Sequence, residues 1–234
     1  MARRRFFVDR VQSGHAQIEG EEAHHLFRVL RVEVGQKFEI SDTQRVWLAE
    51  VETARKSEVR FSLIEELPVG PALPEVVLYL ALVKFDRFEW AVEKATELGV
   101  ARIVPVETSR TDQGLYQGAA KRVERWRRIA HEASEQSRRL APPEIADPVK
   151  FAAVNGDAPA LRFVLDEQPG APLLMKVLKT APVALFVGPE GGWTDPERAA
   201  LAASGWVAAS LGPLILRAET AVCAALAVAA QVLP

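Results

Sequence analysis

The chain has 234 residues, of which 49% are hydrophobic and 26% charged, and its formal net charge is −2. This balance is typical of a folded globular protein and excludes a largely disordered chain. A single cysteine, Cys223, excludes an internal disulfide framework and a zinc site built from several cysteines. The N-terminus lacks the apolar core of a signal peptide, and the most apolar stretch, 221–233, is shorter than the roughly 20 residues that cross a bilayer. We therefore expect a cytoplasmic protein without a membrane partner.

The first 70 residues favour short strands with one helix between 21 and 31. Strand patterns occur three times, at 37–40, 46–51 and 59–64. Three prolines and a glycine then fall within 67–74, a composition that interrupts both helices and central strands. We predict a domain boundary in this segment, with one domain at 1–70 and a second at 71–234.

Beyond the boundary, apolar runs alternate with helical patterns, a rhythm typical of an α/β domain with a mostly parallel sheet. The strand candidates are 76–83, 103–106, 161–166, 184–187 and 207–211. Asp86 and Glu89 have capping-box spacing at the start of a helix that Gly99 ends. Thr194 and Glu197 have the same spacing, so we predict a second capped helix there.

Positive charge is concentrated in residues 119–139, which carry seven Lys or Arg against three Asp or Glu. A single amphipathic helix over this segment would place Trp126 on an apolar face, with Lys121, Arg125 and Arg128 on the opposite one. Such a cationic face is either a solvated surface or a binding surface for phosphate groups. The excess of arginine over lysine favours the second interpretation modestly.

Several catalytic motifs do not occur in the sequence, among them the dinucleotide-binding G-x-G-x-x-G, the P-loop, H-E-x-x-H and G-x-S-x-G. The sequence therefore lacks the motifs that usually indicate hydride transfer on a dinucleotide-binding fold, phosphoryl transfer on a P-loop or hydrolysis at a zinc ion. The four histidines show no metal-binding spacing, and we expect no metal ion.

Two loops near the C-terminus carry the strongest signal of a site. Gly188-Pro-Glu-Gly-Gly192 follows a predicted strand and precedes a helix, and a second loop begins at Leu211-Gly-Pro after the next strand. Ligands of open α/β sheets bind at the carboxyl ends of the strands. Either loop alone is equally compatible with a simple turn, but together they favour a cofactor site.

The same loops resemble those of the RsmE family, the 16S rRNA (uracil-N3)-methyltransferases of the SPOUT superfamily. Three further segments are similar to family motifs in the same order: His25-Leu-Phe-Arg-Val-Leu-Arg31, Glu93-Lys-Ala-Thr-Glu-Leu-Gly99 and a segment that begins at Glu135-Gln136. The last segment departs from the family pattern, because Arg138, Leu140 and Ala141 stand where the family has Gly, Asn and Arg.

The resemblance implies a small N-terminal PUA-like β-barrel domain and a C-terminal SPOUT domain with a trefoil knot and a mostly parallel sheet. It implies S-adenosylmethionine as methyl donor, 16S rRNA or the 30S subunit as substrate, and a homodimer. By the same resemblance, the cofactor-binding residues are Leu165, Asp166, Phe186, Val187, Gly188, Glu190, Gly191, Leu211, Gly212, Ile215, Leu216 and Thr220.

In this interpretation Arg217 stabilises the uracil anion, and Glu219 is either the proton acceptor or a residue that fixes the loop. Arg110, Gln136 and Arg139 complete the catalytic pocket. The residues expected to bind RNA are Arg3, Arg4, His25, Arg28, Arg31, Lys121, Arg125 and Arg128.

Two other functions stay compatible with the sequence. One is a non-catalytic RNA-binding protein in which the glycine loops are simple turns. The other is a SPOUT enzyme with a different target, such as a tRNA ribose or guanine, although the match at both ends of the chain disfavours it.

Overall fold

The computed structural model describes residues 4–154 and 158–233. The chain falls into two compact units, one made of Met1–Ala72 with Ser134–Pro142 and one made of Leu73–Ala133 with Pro143–Pro234. The segment 134–142 thus packs with the first unit although it follows part of the second in the sequence. The division into domains at 1–70 and 71–234 stays a prediction.

The first unit is a six-stranded sheet with one helix. Its strands are β1 (Arg5–Phe7), β2 (Val11–Gln12), β3 (His15–Glu19), β4 (Lys37–Ser41), β5 (Val46–Arg55) and β6 (Glu58–Leu67). The helix α1 (Gly20–Arg28) lies between β3 and β4 in the chain. The strand order is β1-β4-β5-β6-β3-β2, and only the β1–β4 pair is parallel.

This sheet must curl, because its two edge strands are consecutive in the chain. Only residues 8–10 connect β1 to β2. A flat sheet of six strands is about 24 Å wide at about 4.8 Å between strands, whereas four Cα steps span at most about 14 Å. The curled sheet encloses a core that includes Phe6, Ile40 and Phe61, all fully buried.

The second unit is built on a seven-stranded sheet in which the described strands pair in parallel. The strands are β7 (Val76–Ala81), β8 (Arg102–Glu107), β9 (Glu144–Ile145), β10 (Val149–Lys150), β11 (Leu161–Leu165), β12 (Val183–Val187) and β13 (Val207–Ala209). The order is β10-β8-β7-β12-β11-β13, with β9 beside β8. Every residue of β7 and β12 is buried, because hydrophobic clusters cover both faces of the sheet.

The helices of the second unit begin with α2 and end with α7. They are α2 (Phe85–Glu97), α3 (Leu115–Ala120), α4 (Val123–Ser137), α5 (Leu174–Val177), α6 (Asp195–Ala203) and α7 (Ala218–Val232), of which α4 runs on into residues of the first unit. The predicted strands and the α/β pattern are confirmed, with ends that differ from the prediction by at most four residues. Across residues 4–154 and 158–233, no helix is both long and apolar enough to span a membrane.

The capping box predicted at Asp86 and Glu89 is wrong. Helix α2 begins two residues earlier than the spacing implies, with Lys84 as its N-cap and no side-chain hydrogen bond at the cap. Asp86 is therefore already inside the first turn, where its negative charge faces the positive end of the helix dipole.

The basic segment forms two helices rather than the single one predicted. The Arg122 amide donates to the Ala119 carbonyl at 2.8 Å, a three-residue spacing that closes a turn instead of continuing α3. Lys121 consequently lies outside α4. The apolar face predicted for this segment is confirmed, since Trp126 and Ala130 are buried.

Helix α4 ends because Arg138 adopts a left-handed conformation with φ 56°. A glycine takes this conformation without the Cβ penalty of about 1–2 kcal/mol, which explains the glycine of the family pattern. In this chain the Arg138 guanidinium lies 3.4 Å from the Glu39 carboxylate, which also accepts a 2.7 Å hydrogen bond from Arg5. This ion pair offsets part of the backbone cost, and Arg139 follows outside the helix.

Glu22 on α1 is a carboxyl group in an unfavourable environment. Burial and the negative charge of Asp9 raise its pKa from 4.5 to about 7. Its Oε1 atom is enclosed and has no hydrogen-bond partner among the described residues.

Replacing Glu22 with Gln should raise the free energy of unfolding at pH 8 by about 2 kcal/mol. At this pH the native side chain is a buried carboxylate ion, which destabilises the folded state, whereas glutamine is neutral. Since the folded-state pKa lies above the usual value, the native chain loses stability as pH rises from about 4.5 to about 7, and the variant does not. Urea denaturation at pH 4.5 and pH 8 measures this difference. Glu21→Gln, on the exposed side of α1, is the control, and an equal effect of Glu22→Gln at both pH values would contradict the assignment.

Candidate active site

The candidate site is a cavity among three loops at the carboxyl ends of β11, β12 and β13, here called the loop cavity. Its volume is about 80 Å³. Strands β12, β11 and β13 are neighbours in the sheet, so the loops that follow them converge at one edge. Eight of the residues predicted from the sequence line it: Leu165, Asp166, Val187, Gly188, Leu211, Gly212, Ile215 and Leu216.

The other predicted cofactor residues do not line the loop cavity. The Phe186 side chain is fully buried in the cluster on the opposite face of the sheet from Val187. Glu190 and Gly191 lie at the exposed tip of the first glycine loop, and Thr220 lies exposed on α7.

Trp193 joins the first glycine loop to the end of β11. Its indole Nε1 donates to the Leu165 carbonyl at 2.9 Å, and the ring packs edge-on against Phe186 with 4.7 Å between centroids. A Cβ atom added at Gly188 would lie 2.8 Å from this ring, closer than real contacts allow. Gly188 is therefore required by the close approach of the indole.

The second loop bends at Gly212, which has φ 128°, a conformation that residues with a Cβ rarely adopt. The Ser210 hydroxyl holds this bend, because it accepts from the Gly212 amide and donates to the Gly212 carbonyl, both at 3.1 Å. Leu214 and Ile215 follow at the mouth of the loop cavity and are 76% and 84% exposed.

Arg198 on α6 fixes Asp166, the acidic residue at the end of β11. The guanidinium binds the Asp166 carboxylate in a bidentate manner, at 2.7 and 3.1 Å, and also donates to the Trp193 carbonyl at 2.7 Å. Bidentate arginine–carboxylate pairs are stronger and more directional than single ion pairs. Both oxygens of Asp166 are thus already engaged, and the carboxylate is held in one orientation.

The capping box at Thr194 and Glu197 is confirmed and ties α6 to a neighbouring loop. The buried Glu197 carboxylate accepts from the Thr194 amide and hydroxyl at 2.9 and 2.8 Å, and from the Ser109 amide at 2.8 Å. Burial alone would raise the pKa of Glu197, but these hydrogen bonds outweigh it and lower the pKa. Glu197 therefore stays ionised and fixes the loop after β8 beside the first glycine loop.

Two arginines hold the tip of the first glycine loop from outside. Arg87 on α2 forms an ion pair with Glu190, and the Arg110 guanidinium donates to the Gly191 carbonyl. Glu190 and Arg110 therefore contact Arg87 and the main chain of the loop tip, respectively, and neither lines the loop cavity.

Arg217, the residue predicted to stabilise the reacting base, is the N-cap of α7 and is exposed. Within the described residues its guanidinium has no hydrogen bond or ion pair, although its neighbours Leu216 and Ala218 line the loop cavity. Glu219 does not line the cavity, and its Oε2 is enclosed with no hydrogen-bond partner among the residues that the structure describes. Arg217 is thus available to a ligand, whereas Glu219 belongs to the first turn of the helix.

Gln136 and Arg139 belong to 134–142 and hence to the first unit. Gln136 is exposed, and the Arg139 Nε donates to the Ala141 carbonyl at 3.1 Å. Burial lowers the pKa of Arg139 to about 10, which still leaves a cation at neutral pH.

The residues predicted to bind RNA differ in their exposure and in whether their side chains already have a partner within the protein. In the first unit Arg28 and Arg31 are exposed and His25 is half-buried, whereas the Arg4 Nε lies 3.5 Å from Glu135. Arg3 lies outside the described residues.

In the second unit Lys121 and Arg128 are exposed, and neither has an ion-pair or hydrogen-bond partner within the part of the chain that the structure describes. Arg125 is exposed too, but Glu89 binds it at 2.7 and 2.8 Å. The sequence pattern does not distinguish these two kinds of arginine.

Sequence reasoning missed several residues of the loop cavity, chiefly Trp193, Ser210 and Glu167. Trp193 was detectable in principle, because a bulky aromatic residue directly after two glycines and before a helix cap needs space that only glycines leave. Ser210 and Glu167 carry no comparable signal in the sequence.

Comparison with known proteins identifies the family. A family model described as an RNA methyltransferase domain matches residues 71–230, and one described as an RNA methyltransferase PUA domain matches 18–64. The chain belongs to the RsmE family of RNA methyltransferases. It is 37% identical over 214 residues to ribosomal RNA small subunit methyltransferase E of Synechocystis, an alignment that covers 87% of this chain and 69% of that relative. The Bacillus subtilis RsmE is 32% identical, with 87% and 85% covered.

Solved structures agree with this assignment. A putative methyltransferase of Legionella pneumophila, solved with S-adenosylmethionine bound, has a TM-score of 0.89 and 30% identity and covers 100% of this chain and 99% of that one. The RsmE of Neisseria gonorrhoeae, also bound to S-adenosylmethionine, has a TM-score of 0.87 and 26% identity, with 97% and 96% covered. The predicted fold class, a SPOUT domain with a PUA-like N-terminal domain, is confirmed.

Replacing Gly188 with Ala should lower the free energy of unfolding by about 2 kcal/mol, because the new methyl group displaces the Trp193 indole from its hydrogen bond. Urea denaturation and the near-ultraviolet circular dichroism of the tryptophans measure the effect. Gly70→Ala is the matched control, since a Cβ at Gly70 meets no atom within 4 Å. Equal effects of the two substitutions would show that the indole does not depend on Gly188.

Proposed function

We propose that this protein transfers a methyl group from S-adenosylmethionine to N3 of a uridine in 16S rRNA of the small ribosomal subunit. The observation that carries the proposal is the loop cavity, which lies between the two glycine loops, in a chain that belongs to the RsmE family. Relatives of this family are named ribosomal RNA small subunit methyltransferase E. The uracil-N3 target rests on the resemblance of the motifs.

The residues of the loop cavity fit such a donor. S-adenosylmethionine supplies an electrophilic methyl group on a positively charged sulfur when it is bound. Leu165, Leu211 and Leu216 offer apolar surface for a flat aromatic base, and the side chain of Glu167 offers negative charge at the wall. Because a Cβ at Gly212 would meet no atom within 4 Å, the space beside this glycine is open, and the main chain of the second loop can approach a ligand closely.

The loop cavity itself is smaller than the roughly 300–1,000 Å³ of common small-molecule sites. We propose that Leu214 and Ile215 move with the second loop to widen the cavity and then cover the donor. Their high exposure supports this role, since apolar side chains at the mouth of a cavity gain most from covering a ligand.

The uracil ring sets the catalytic requirement. Its N3 carries a proton and has no free lone pair at neutral pH, so the proton must leave and negative charge spreads to the two carbonyl oxygens. A fixed cation at those oxygens stabilises this charge in a water-poor site. Arg217 fits this role, because it is unpaired among the described residues and stands at the positive end of the α7 dipole next to the loop cavity.

Arg110 and Glu219 take supporting roles in this proposal. The Arg110 guanidinium binds the Gly191 carbonyl and so positions the first glycine loop. Glu219 lies in the first turn of α7, where a carboxylate stabilises the helix start, and this favours the loop-fixing role over that of proton acceptor. The catalytic roles of Gln136 and Arg139, the homodimer and the cytoplasmic location stay predictions.

Arg217→Ala should lower the rate of methyl transfer by about 10²–10³, the usual cost of removing one group that stabilises a developing oxyanion. Binding of S-adenosylmethionine should change less than twofold, since main-chain groups hold the donor. Transfer of a labelled methyl group to small subunits from a strain that lacks the enzyme measures the rate, with 3-methyluridine identified by mass spectrometry, and calorimetry measures donor binding.

Lys179→Ala is the control, because it removes an exposed cation outside the loop cavity. A wild-type rate in Arg217→Ala would contradict the role of Arg217. Absence of methyl transfer by the native chain despite RNA binding would instead support the non-catalytic alternative.

Arg128→Ala should weaken RNA binding and reduce the slope of log affinity against log salt by about one, as expected for a lost phosphate contact. Arg125→Ala should change the slope less, because Glu89 already neutralises that guanidinium. Fluorescence anisotropy with a labelled 16S rRNA fragment at several salt concentrations compares the two. If both variants keep the native slope, this helix face does not bind phosphate.

A further inference from the structure

Two carboxylates line the loop cavity, and no cationic side chain of the described residues lines it with them. They belong to Asp166 and Glu167, which follow β11 directly. The other lining residues are uncharged. The charge of the cavity wall therefore depends on how far neighbouring cations neutralise these two carboxylates.

One guanidinium contacts both carboxylates without lining the cavity. Arg198 binds the Asp166 carboxylate at 2.7 and 3.1 Å. The distance from the same guanidinium to the Glu167 Oε1 is 3.7 Å, which is longer than a hydrogen bond. Because a single cation faces two anions, the wall keeps a net negative charge.

The remaining negative charge lies on Glu167. Its side chain is 45% exposed, whereas the Asp166 side chain is 5% exposed. A Cβ atom added at Gly192 would lie 2.8 Å from the Glu167 Oε1, so the carboxylate lies against the main chain of the first glycine loop. Glu167 also lines an adjoining cleft of about 370 Å³, together with Leu214 and Ile215 of the second loop. The carboxylate is therefore accessible to a ligand that lies between the two glycine loops.

The proposed reaction changes the net charge of the cofactor. S-adenosylmethionine carries a positive sulfonium, while its amino and carboxylate groups cancel each other, so the whole molecule is a cation. When the methyl group leaves, the electron pair of the broken bond stays on sulfur and the product, S-adenosylhomocysteine, is a neutral thioether. A negative wall attracts the cation and gains no comparable attraction to the neutral product.

We propose that Glu167 is a specificity-determining residue, which makes the loop cavity bind the cationic donor more tightly than the neutral product. This inference rests on the proposed function, since it assumes that the loop cavity binds S-adenosylmethionine. The attraction ends when the methyl group is transferred, and this favours exchange of product for fresh donor. Because the carboxylate is half-exposed, solvent and salt screen part of the attraction, and the preference amounts to several-fold.

Calorimetry of the full chain with three ligands tests this role. The ligands are S-adenosylmethionine, S-adenosylhomocysteine and sinefungin, in which a carbon that bears a cationic amino group replaces the methylated sulfur. Glu167→Gln keeps the size of the side chain and removes its charge. It should weaken binding of the two cationic ligands by about five- to tenfold and that of S-adenosylhomocysteine by less than twofold.

Asp195→Asn is the matched control. Asp195 lies 3.4 Å from the same guanidinium and is 94% exposed, but it does not line the loop cavity. This variant should keep the native ratio of donor to product affinity within twofold. Raising the salt concentration from about 0.05 M to about 0.5 M should reduce the ratio in the native chain and change it little in Glu167→Gln. Circular dichroism melts verify that each variant is folded before it is titrated.

An equal loss for all three ligands in Glu167→Gln would show that the carboxylate binds the amino group that they share, and would overturn the proposal. Unchanged affinities, or the same change of ratio in Asp195→Asn, would overturn it as well. Methyl transfer to small subunits is measured in parallel on the native chain. If the native chain binds the donor and transfers the methyl group while the preference does not depend on Glu167, only this inference is wrong. If it binds none of the ligands and transfers no methyl group, the proposed function fails with it.

Discussion

The hydrogen bond from the Trp193 indole to the Leu165 carbonyl is the contact on which the candidate active site depends. It joins the loop after β12 to the end of the neighbouring strand β11, and it brings a bulky ring to within van der Waals contact of Gly188. Arg198 completes the connection, because it binds both the Trp193 carbonyl and the Asp166 carboxylate. Hydrogen bonds between neighbouring elements therefore hold this side of the loop cavity, and a wall fixed in this way lowers the entropy cost of binding.

Arginine serves two different purposes in this protein, and partners distinguish them. Arg198 and Arg110 form contacts that fix the loops, since Arg198 binds the Asp166 carboxylate and Arg110 binds the Gly191 carbonyl. Arg217 and Arg128 are unpaired in the described residues and are therefore available to an anionic substrate. The weak net charge of −2 is compatible with RNA binding because unpaired cations, not the total charge, determine the local potential.

Each unit offers a cavity of its own chemistry. The loop cavity is lined mainly by glycine, leucine and other apolar residues and suits a ligand with an apolar face. The cleft beside β3 in the first unit is lined mainly by charged and polar residues.

Local periodicity and residues with restricted backbone choices predicted the α/β pattern of the second unit, three of the six strands of the first, the capping box at Thr194 and the two glycine loops. The same patterns did not predict the break before α4, the start of α2 at Phe85 or the packing of 134–142 with the first unit, because periodicity gives the type of an element but neither its exact ends nor the unit against which it packs. The packing of the elements distinguishes Arg125, which Glu89 neutralises, from Arg128, which has no partner among the described residues, because a side chain's partner depends on which elements lie against each other.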